Sequence, residues 1–303
     1  MQRCPKVYII VLNYNNAADT IECLESLREI KYANYEVILV DNASSDNSDS
    51  ILSSYASEYI HYIHYIRNEY NYGYAAGNNI GIRYAMQRND GSFVWILNND
   101  TIVSPYALGY LVETCMYDSS IGVCGSKILY YYGDGIQGYG GRYNYWFGID
   151  KTVKSEKEIA NLDYVIGAAM FIPLDVIEKV GFFNEEYFLY YEELDFAERI
   201  KNMYKLHCDT RSIVYHKEGA STGSNSLNPI NKSSMSDYFI VRNKLKFTWK
   251  YYKKFIPTVY LGIFVMLLRR IKRRQYSRGI MFFKLLIGIK NKFFESLVWR
   301  GDL

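Results

Sequence analysis

Short apolar runs recur through the first 125 positions, and three of them end in clusters of Asn and Asp. Residues 7–12, 36–41, 60–66, 93–98 and 121–125 read as strands. Between them, residues 19–29, 46–57, 75–88 and 105–117 carry apolar side chains at helical spacing, several of them behind an Asp or Ser cap. Strands alternating with helices predict an α/β fold, a Rossmann-like, mostly parallel sheet flanked by helices. Such sheets bind ligands beyond the carboxyl ends of their strands. The polar clusters at 13–16, 41–46 and 98–100 fall at those ends.

Farther along, residues 130–160 are rich in Tyr and Gly without a clear period and predict a long loop or small hairpin. An apolar run at 164–172 follows, then a short helix opened by Pro173, an acidic cluster at 190–195, and the run Ile213-Val214-Tyr215-His216. Residues 219–236 read as a Ser/Asn/Gly loop.

Each polar cluster has a bland and a chemical reading. Asp41-Asn42-Ala43-Ser44-Ser45-Asp46 suits a βα turn with Asp46 as helix cap, or a site where Asp41 accepts a hydrogen bond from a pyrimidine ring nitrogen. Asn98-Asn99-Asp100 suits a capped turn before Ser104-Pro105, or a carboxylate that ligates a hard divalent cation bridging two phosphates. Glu192, Glu193 and Asp195 suit the first turn of a helix, where the dipole favours acids, or a general base. Glu192 and Asp195, three residues apart, share one helical face. His61 and His64 are placed on opposite faces of a strand and do not chelate together. Any one of these motifs is weak, and their order along one sheet is what gives them weight.

The ordered set resembles the family 2 glycosyltransferases of GT-A fold, in particular a bacterial rhamnosyltransferase-like branch, over roughly residues 7–222. It comprises Val11-Leu12-Asn13-Tyr14-Asn15, Val40-Asp41-Asn42-Ala43-Ser44-Ser45-Asp46, Asn71-Tyr72-Gly73-Tyr74-Ala75-Ala76-Gly77-Asn78-Asn79, Leu97-Asn98-Asn99-Asp100-Thr101, Gly167-Ala168-Ala169-Met170, Phe188-Leu189-Tyr190-Tyr191-Glu192-Glu193-Leu194-Asp195 and Tyr215-His216. The resemblance implies an inverting transferase that uses a nucleotide diphosphate sugar and Mg2+ or Mn2+. By the same resemblance, Asp41 contacts the base, the 71–79 segment with Asn71, Gly73 and Asn78 lies near the nucleotide, and Asn98, beside Asn99, contacts ribose. Asn13 and Asn15 stand with them on the donor side. Asp100 matches the metal-binding end of the family's DxD motif, His216 a residue that in some members touches the metal, and Glu193 the catalytic base, with Glu192 or Asp195 able to share that role. This chain departs from the pattern in having Asn98 and Asn99 where many members carry carboxylates, and Glu rather than Asp at 193.

Charge divides the chain unevenly. Residues 1–237 hold 19 Lys and Arg against 30 Asp and Glu, a net of −11, whereas residues 238–303 hold 16 against 2, a net of +14. The division predicts a catalytic domain over 1–237 and a basic helical region over 238–303. In the latter, residues 255–268 are apolar between Lys253-Lys254 and Arg269-Arg270, and as a helix they reach only about 21 Å, short of the ~30 Å hydrocarbon core. With a second apolar stretch at 280–289, the pair reads as helices lying in a membrane surface, as a lid on the domain, or as a homodimer contact. The apolar content favours membrane over nucleic acid. Five scattered cysteines and no signal-peptide pattern predict a cytoplasmic chain, and the basic helical region predicts that it is peripheral on the inner face of the cell membrane. The expected task is one sugar addition to a saccharide or lipid-linked acceptor in surface polysaccharide or glycolipid synthesis. The rivals are a nucleotidyltransferase, which lacks support from a Gly-rich phosphate loop, and a nucleic-acid-binding protein, which leaves Asp41, Asp100 and Glu193 without a task.

Overall fold

The computed structural model describes residues 4–217 and 233–298. Nine strands form one mixed, mostly parallel sheet whose path runs β3 (Ile63–Arg67), β2 (Tyr35–Asp41), β1 (Val7–Asn13), β4 (Phe93–Asn98), β10 (Ala169–Pro173), β6 (Ile121–Tyr130), β11 (Lys205–His216) and β5 (Thr101–Val103), with β7 (Ile136–Gly138) beside β6. The pairs among β3, β2, β1 and β4 are parallel, as is β6 with β11, whereas β10 runs antiparallel to both its neighbours. A separate hairpin pairs β8 (Gly140–Asn144) with β9 (Ile149–Val153).

Alternation along β1 shows why these residues make a sheet with two covered faces. Val7, Ile9 and Val11 pack on one side with α1 (Ala17–Arg28), α2 (Ser48–Glu58) and α4 (Ala107–Tyr117). Tyr8 and Ile10 pack on the other with α3 (Gly73–Arg88), α5 (Leu174–Val180) and α6 (Glu192–Ile200). Helix α3 lies unusually close to β1. A Cβ at Gly77 would stand 2.7 Å from Leu12 Cδ1, and one at Gly81 would stand 2.7 Å from Ile10 Cγ2.

Several expected elements move. The third strand begins at Ile63, because residues 60–62 form a turn, so His61 lies off the strand while His64 Nε2 meets Glu36 Oε2 at 2.6 Å. The strand expected at 121–125 runs on to Tyr130, since β11 and β7 continue the ladder on either side. Of the apolar run 164–172, the strand takes only its end, from Ala169. The 130–160 segment holds the β8–β9 hairpin, and most of the expected 219–236 loop lies outside the described residues.

Ser233 caps helix α7 (Ser234–Tyr251) by accepting from Ser236 N at 3.0 Å. The division expected at 237/238 thus falls in the first turn of α7. This helix is buried nearly all round, between Phe188 on one side and α8 (Ile256–Lys272) and α9 (Tyr276–Leu286) on the other. Asp237 anchors the group, its Oδ1 2.6 Å from Arg270 and its Oδ2 3.2 Å from Arg278. Among the described residues no helix is long and apolar enough to cross a membrane. Instead α8 and α9 leave Leu261, Phe264, Leu268, Ile280 and Phe283 about half exposed, beside Arg269, Lys272 and Lys284.

Candidate active site

The register sets the polar clusters side by side, with Asn13 opposite Asp41 and Leu12 opposite Asn98. Below the surface they form a closed network. Asn13 Nδ2 donates to Asp41 Oδ1 (2.7 Å) and Ser44 Oγ (3.0 Å), Ser44 N donates to Asp41 Oδ2 (3.0 Å), and Thr20 Oγ1 and Asn99 Nδ2 donate to Asn13 Oδ1 (2.8 and 3.3 Å). Asp41 has no exposed surface, and in this arrangement it braces the strand ends. Asn15, in the left-handed region at φ 53°, accepts from Ser45 N at 2.7 Å and clips the loop after β1 to the loop after β2. Asn78 is buried within α3, its Nδ2 donating to Tyr74 O.

Asn42, which sequence reasoning passed over, ties this base to the next wall. Its Nδ2 donates to Asn71 Oδ1 (2.9 Å) and Gly73 O (3.1 Å), and its Oδ1 accepts from Asn68 Nδ2 (2.9 Å) and Tyr72 N (3.1 Å). Gly73 is needed on two counts: φ is 80°, and a Cβ would sit 2.3 Å from Phe188 O. Tyr74 N donates to that same Phe188 oxygen at 2.7 Å, so the start of α3 is sewn to the segment leading into α6.

Above this base lies a cleft of about 350 Å³, and Asn71, Gly73, Asn98, Asn99, Asp100, His216, Glu192 and Glu193 all contribute to its lining. Asn13, Asn15, Asp41, Asn78 and Asp195 do not. Asp195 is fully buried beneath it, with Arg199 Nε at 3.0 Å, Lys250 Nζ at 2.8 Å and Tyr251 OH at 2.9 Å around its carboxylate. Its charge is neutralised, and it fastens α7 to α6. A larger hollow of about 870 Å³ between α4 and β11 has its basic residues Arg211, Lys205 and Lys201 paired with Glu113, Asp118 and Glu198; no strand-end polar cluster reaches it.

Two pairs of groups give the cleft its chemistry. His216 Nε2 stands 3.2 Å from Asp100 Oδ1, both side chains being buried, and His216 Nδ1 meets Gln137 Oε1 at 3.0 Å. A proton placed on Nδ1 by the Gln137 contact leaves the Nε2 lone pair directed at a carboxylate oxygen, a pair of acceptors that suits a shared cation. One imidazole and one carboxylate fit Mn2+ or Mg2+ with the rest of the shell coming from phosphate and water. Among the described residues no group of three or more His, Cys, Asp or Glu forms a complete protein cage.

In the same cleft, Glu192 Oε2 and Glu193 Oε2 are enclosed and have no hydrogen-bond partner. Burial pushes the Glu193 carboxyl up to about 7, against backbone N–H groups at the helix start that favour its charged form. Burial and then the neighbouring Glu193 charge push Glu192 well above the carboxylate range. Tyr74, whose hydroxyl donates to Gly167 O at 2.6 Å, is raised by burial and by Glu192, Glu193 and Asp100 together. The two pairs thus border one cleft. Carboxylates that each keep one oxygen unpartnered and hold their proton more tightly than usual are suited to proton transfer.

Residues 8–181 match glycosyl transferase family 2. The chain belongs to that family. A relative among characterised proteins, the low-salt glycan biosynthesis hexosyltransferase Agl10 of Haloferax volcanii, is 25% identical over 197 residues, covering 64% of this chain and 61% of that one. Among solved structures, GalNAc-T7 with UDP, GalNAc and Mn2+ superposes with a TM-score of 0.64 at 19% identity, over 84% of this chain and 50% of that one. The mannosyltransferase PcManGT of Pyrobaculum calidifontis, in complex with GDP-Man and Mn2+, gives 0.60 at 14% identity over 98% and 86%. The chain therefore spans less than two thirds of the hexosyltransferase and half of GalNAc-T7. These likenesses establish the GT-A fold for this family 2 member, whose matched region ends before Glu192, Glu193 and His216.

Gln137, Tyr74 and Asn42 are among the cleft residues to which sequence reasoning assigned no role. Gln137 sits in a segment with no period or motif. Tyr74 and Asn42 lay inside quoted motifs, but the work they do is set by partners far away in sequence.

Proposed function

We propose that this family 2 transferase moves a sugar, with inversion, from a nucleotide diphosphate donor to a hydroxyl of a saccharide or lipid-linked acceptor in surface polysaccharide or glycolipid synthesis. The observation that carries the reading is that two pairs line one cleft: Asp100 with His216, and Glu193 with Glu192. Glu193 takes the proton of the acceptor hydroxyl as its oxygen attacks the anomeric carbon, and the bond from that carbon to the donor phosphate breaks on the opposite face. One base and no covalent intermediate give inversion. Asp100 and His216 would hold a divalent cation, which when bound would supply charge stabilisation for the departing diphosphate. Asn71, Gly73, Asn98 and Asn99 bound the nucleotide side. Asp41, Asn13, Asn15 and Asn78 act from beneath as its support, and Asp195 serves the fold. The donor is dTDP-rhamnose or a UDP-sugar.

We further propose that residues 238–303 rest on the inner face of the cell membrane. Half-exposed Leu261, Phe264 and Phe283 beside a cluster of cations suit an anionic surface. Thermal shift with UDP-, dTDP-, GDP- and CDP-sugars, each with Mn2+ and with Mg2+, tests the first reading, because a bound donor stabilises the fold by mass action. A rise for one donor, abolished by chelator, supports it. No rise for any donor counts against it.

A further inference from the structure

The backbone just before the two cleft carboxylates is bent in a way side chains disfavour. Tyr190 and Tyr191 both lie in the left-handed region, at φ 68° and 77°, where non-glycine residues persist only when their surroundings hold them. Asp195 N donates to Tyr191 O at 2.8 Å and closes the first turn of α6. A hold on the backbone from outside comes from α7. Asn243, with no exposed surface, donates from Nδ2 to Leu189 O at 2.9 Å and to Tyr190 O at 2.8 Å. Its Oδ1 accepts from Arg242 Nη1 at 2.8 Å, which fixes which way the amide faces, and the same Nη1 donates to Glu186 O at 2.9 Å. Side-chain contacts also reach the turn, from Tyr143 OH to Tyr191 OH and from Tyr190 OH to Ser236 Oγ, each 3.2 Å. Those contacts run through the hydroxyls, whereas Asn243 takes the carbonyls of Leu189 and Tyr190.

We propose that Asn243 is a positioning residue whose amide sets the Leu189–Tyr190–Tyr191 turn and, through it, the direction in which Glu192 and Glu193 face the cleft. The proposal rests on the reading of Glu193 as base. A primary amide suits the task because one nitrogen serves two consecutive carbonyls while the amide oxygen is pinned by Arg242. Aspartate, of the same shape, would set acceptor against acceptor.

The test compares full-length protein with Asn243→Ala, Asn243→Asp and Glu193→Gln. Hydrogen exchange followed by mass spectrometry on peptides spanning 186–195 reads the turn without any need for substrate. For both Asn243 variants exchange there rises at least about tenfold while peptides of β1 and β4 are unchanged, as expected when one cooperative segment loosens. Release of nucleoside diphosphate from the most active of the UDP-, dTDP- and GDP-hexoses falls roughly 10- to 100-fold, the scale of a displaced catalytic group, while donor KM stays within about threefold. Exchange rising uniformly together with a lowered melting temperature makes Asn243 a packing residue and overturns the proposal. Unchanged local exchange overturns it as well. An active Glu193→Gln protein sinks the base assignment instead, and the local exchange result still decides the role of Asn243.

Discussion

The strand-end cleft sets polar side chains on a rigid apolar sheet, whereas α8 and α9 turn apolar side chains outward from a buried ionic anchor. In the first region most polar atoms beneath the surface are paired, Asp41 through Asn13 and Ser44, and the enclosed oxygens without partners include Oε2 of both Glu192 and Glu193, besides Asn78 Oδ1 in α3. In the second, Asp237 with Arg270 and Arg278 lies inside, and Leu261, Phe264 and Phe283 lie half outside. An unsatisfied group is tolerated where a substrate completes it. In the cleft that group is a carboxylate, and on the helices it is a hydrocarbon face.

The largest expected effect breaks the cleft. Glu193→Gln lowers turnover on the order of 10²- to 10⁴-fold with donor affinity retained, the range of a lost general base. Turnover of the native protein rises with pH through about 7 and levels above it, because the base must lose its proton first. The same substitution raises the melting temperature at neutral pH. A carboxyl whose folded pKa lies above its unfolded value holds a proton in the folded state that the unfolded state releases, so stability falls as pH climbs from the ordinary carboxylate range to about 7. A Glu193→Gln protein that is both inactive and no more stable above pH 7 would argue that the carboxyl is solvated rather than enclosed.

Next, Asp100→Ala weakens divalent-dependent donor binding at least about 100-fold, since even outer-shell changes at metal sites cost 10- to 100-fold. Calorimetry with UDP, dTDP and GDP, with and without Mn2+, reads this, and full metal dependence in the variant would move the site elsewhere. On the helices, Leu261→Asp and Phe264→Asp each weaken binding to anionic vesicles about tenfold, the equivalent of ~1.4 kcal/mol of lost apolar burial. Raised salt removes only the share carried by Lys and Arg. Binding abolished by salt in the native protein would mean attraction without insertion. The smallest effect falls at the junction of the two regions, where Asp195→Asn costs about 1 kcal/mol of stability in a denaturant titration, because the part-exposed Arg199 and Lys250 it unpairs are screened by solvent. A change within error would show that Arg199 and Lys250 are satisfied by water.

What the sequence made legible follows from range. The period of two in the strands and the Asn and Asp punctuation are local, so the alternating sheet, the capped helices and the clusters at 13, 41 and 98–100 were readable. Adjacent Glu192 and Glu193 were readable as a pair, but not their separation from Asp195, because that depends on Lys250 and Tyr251 arriving from a helix 55 residues away. Asp41 kept its place at the strand end, yet its closure by Ser44 and Asn13 left Asn42 facing the cleft. The antiparallel β10 carries no local mark, because direction in a sheet is a property of the connection rather than of the strand.

The close approach of α3 to β1 has a consequence for how such a protein diversifies. Gly73, Gly77 and Gly81 leave no room for even a methyl group between the helix, Phe188 and the strand, so the wall at the start of α3 cannot be recut residue by residue without displacing the helix. The wall that carries Ile166 and Leu189 has ordinary side chains outside both pairs, and these can be exchanged without displacing α3. New substrate preferences therefore arise most readily by altering that wall, and libraries confined to it would keep the fold while searching the chemistry.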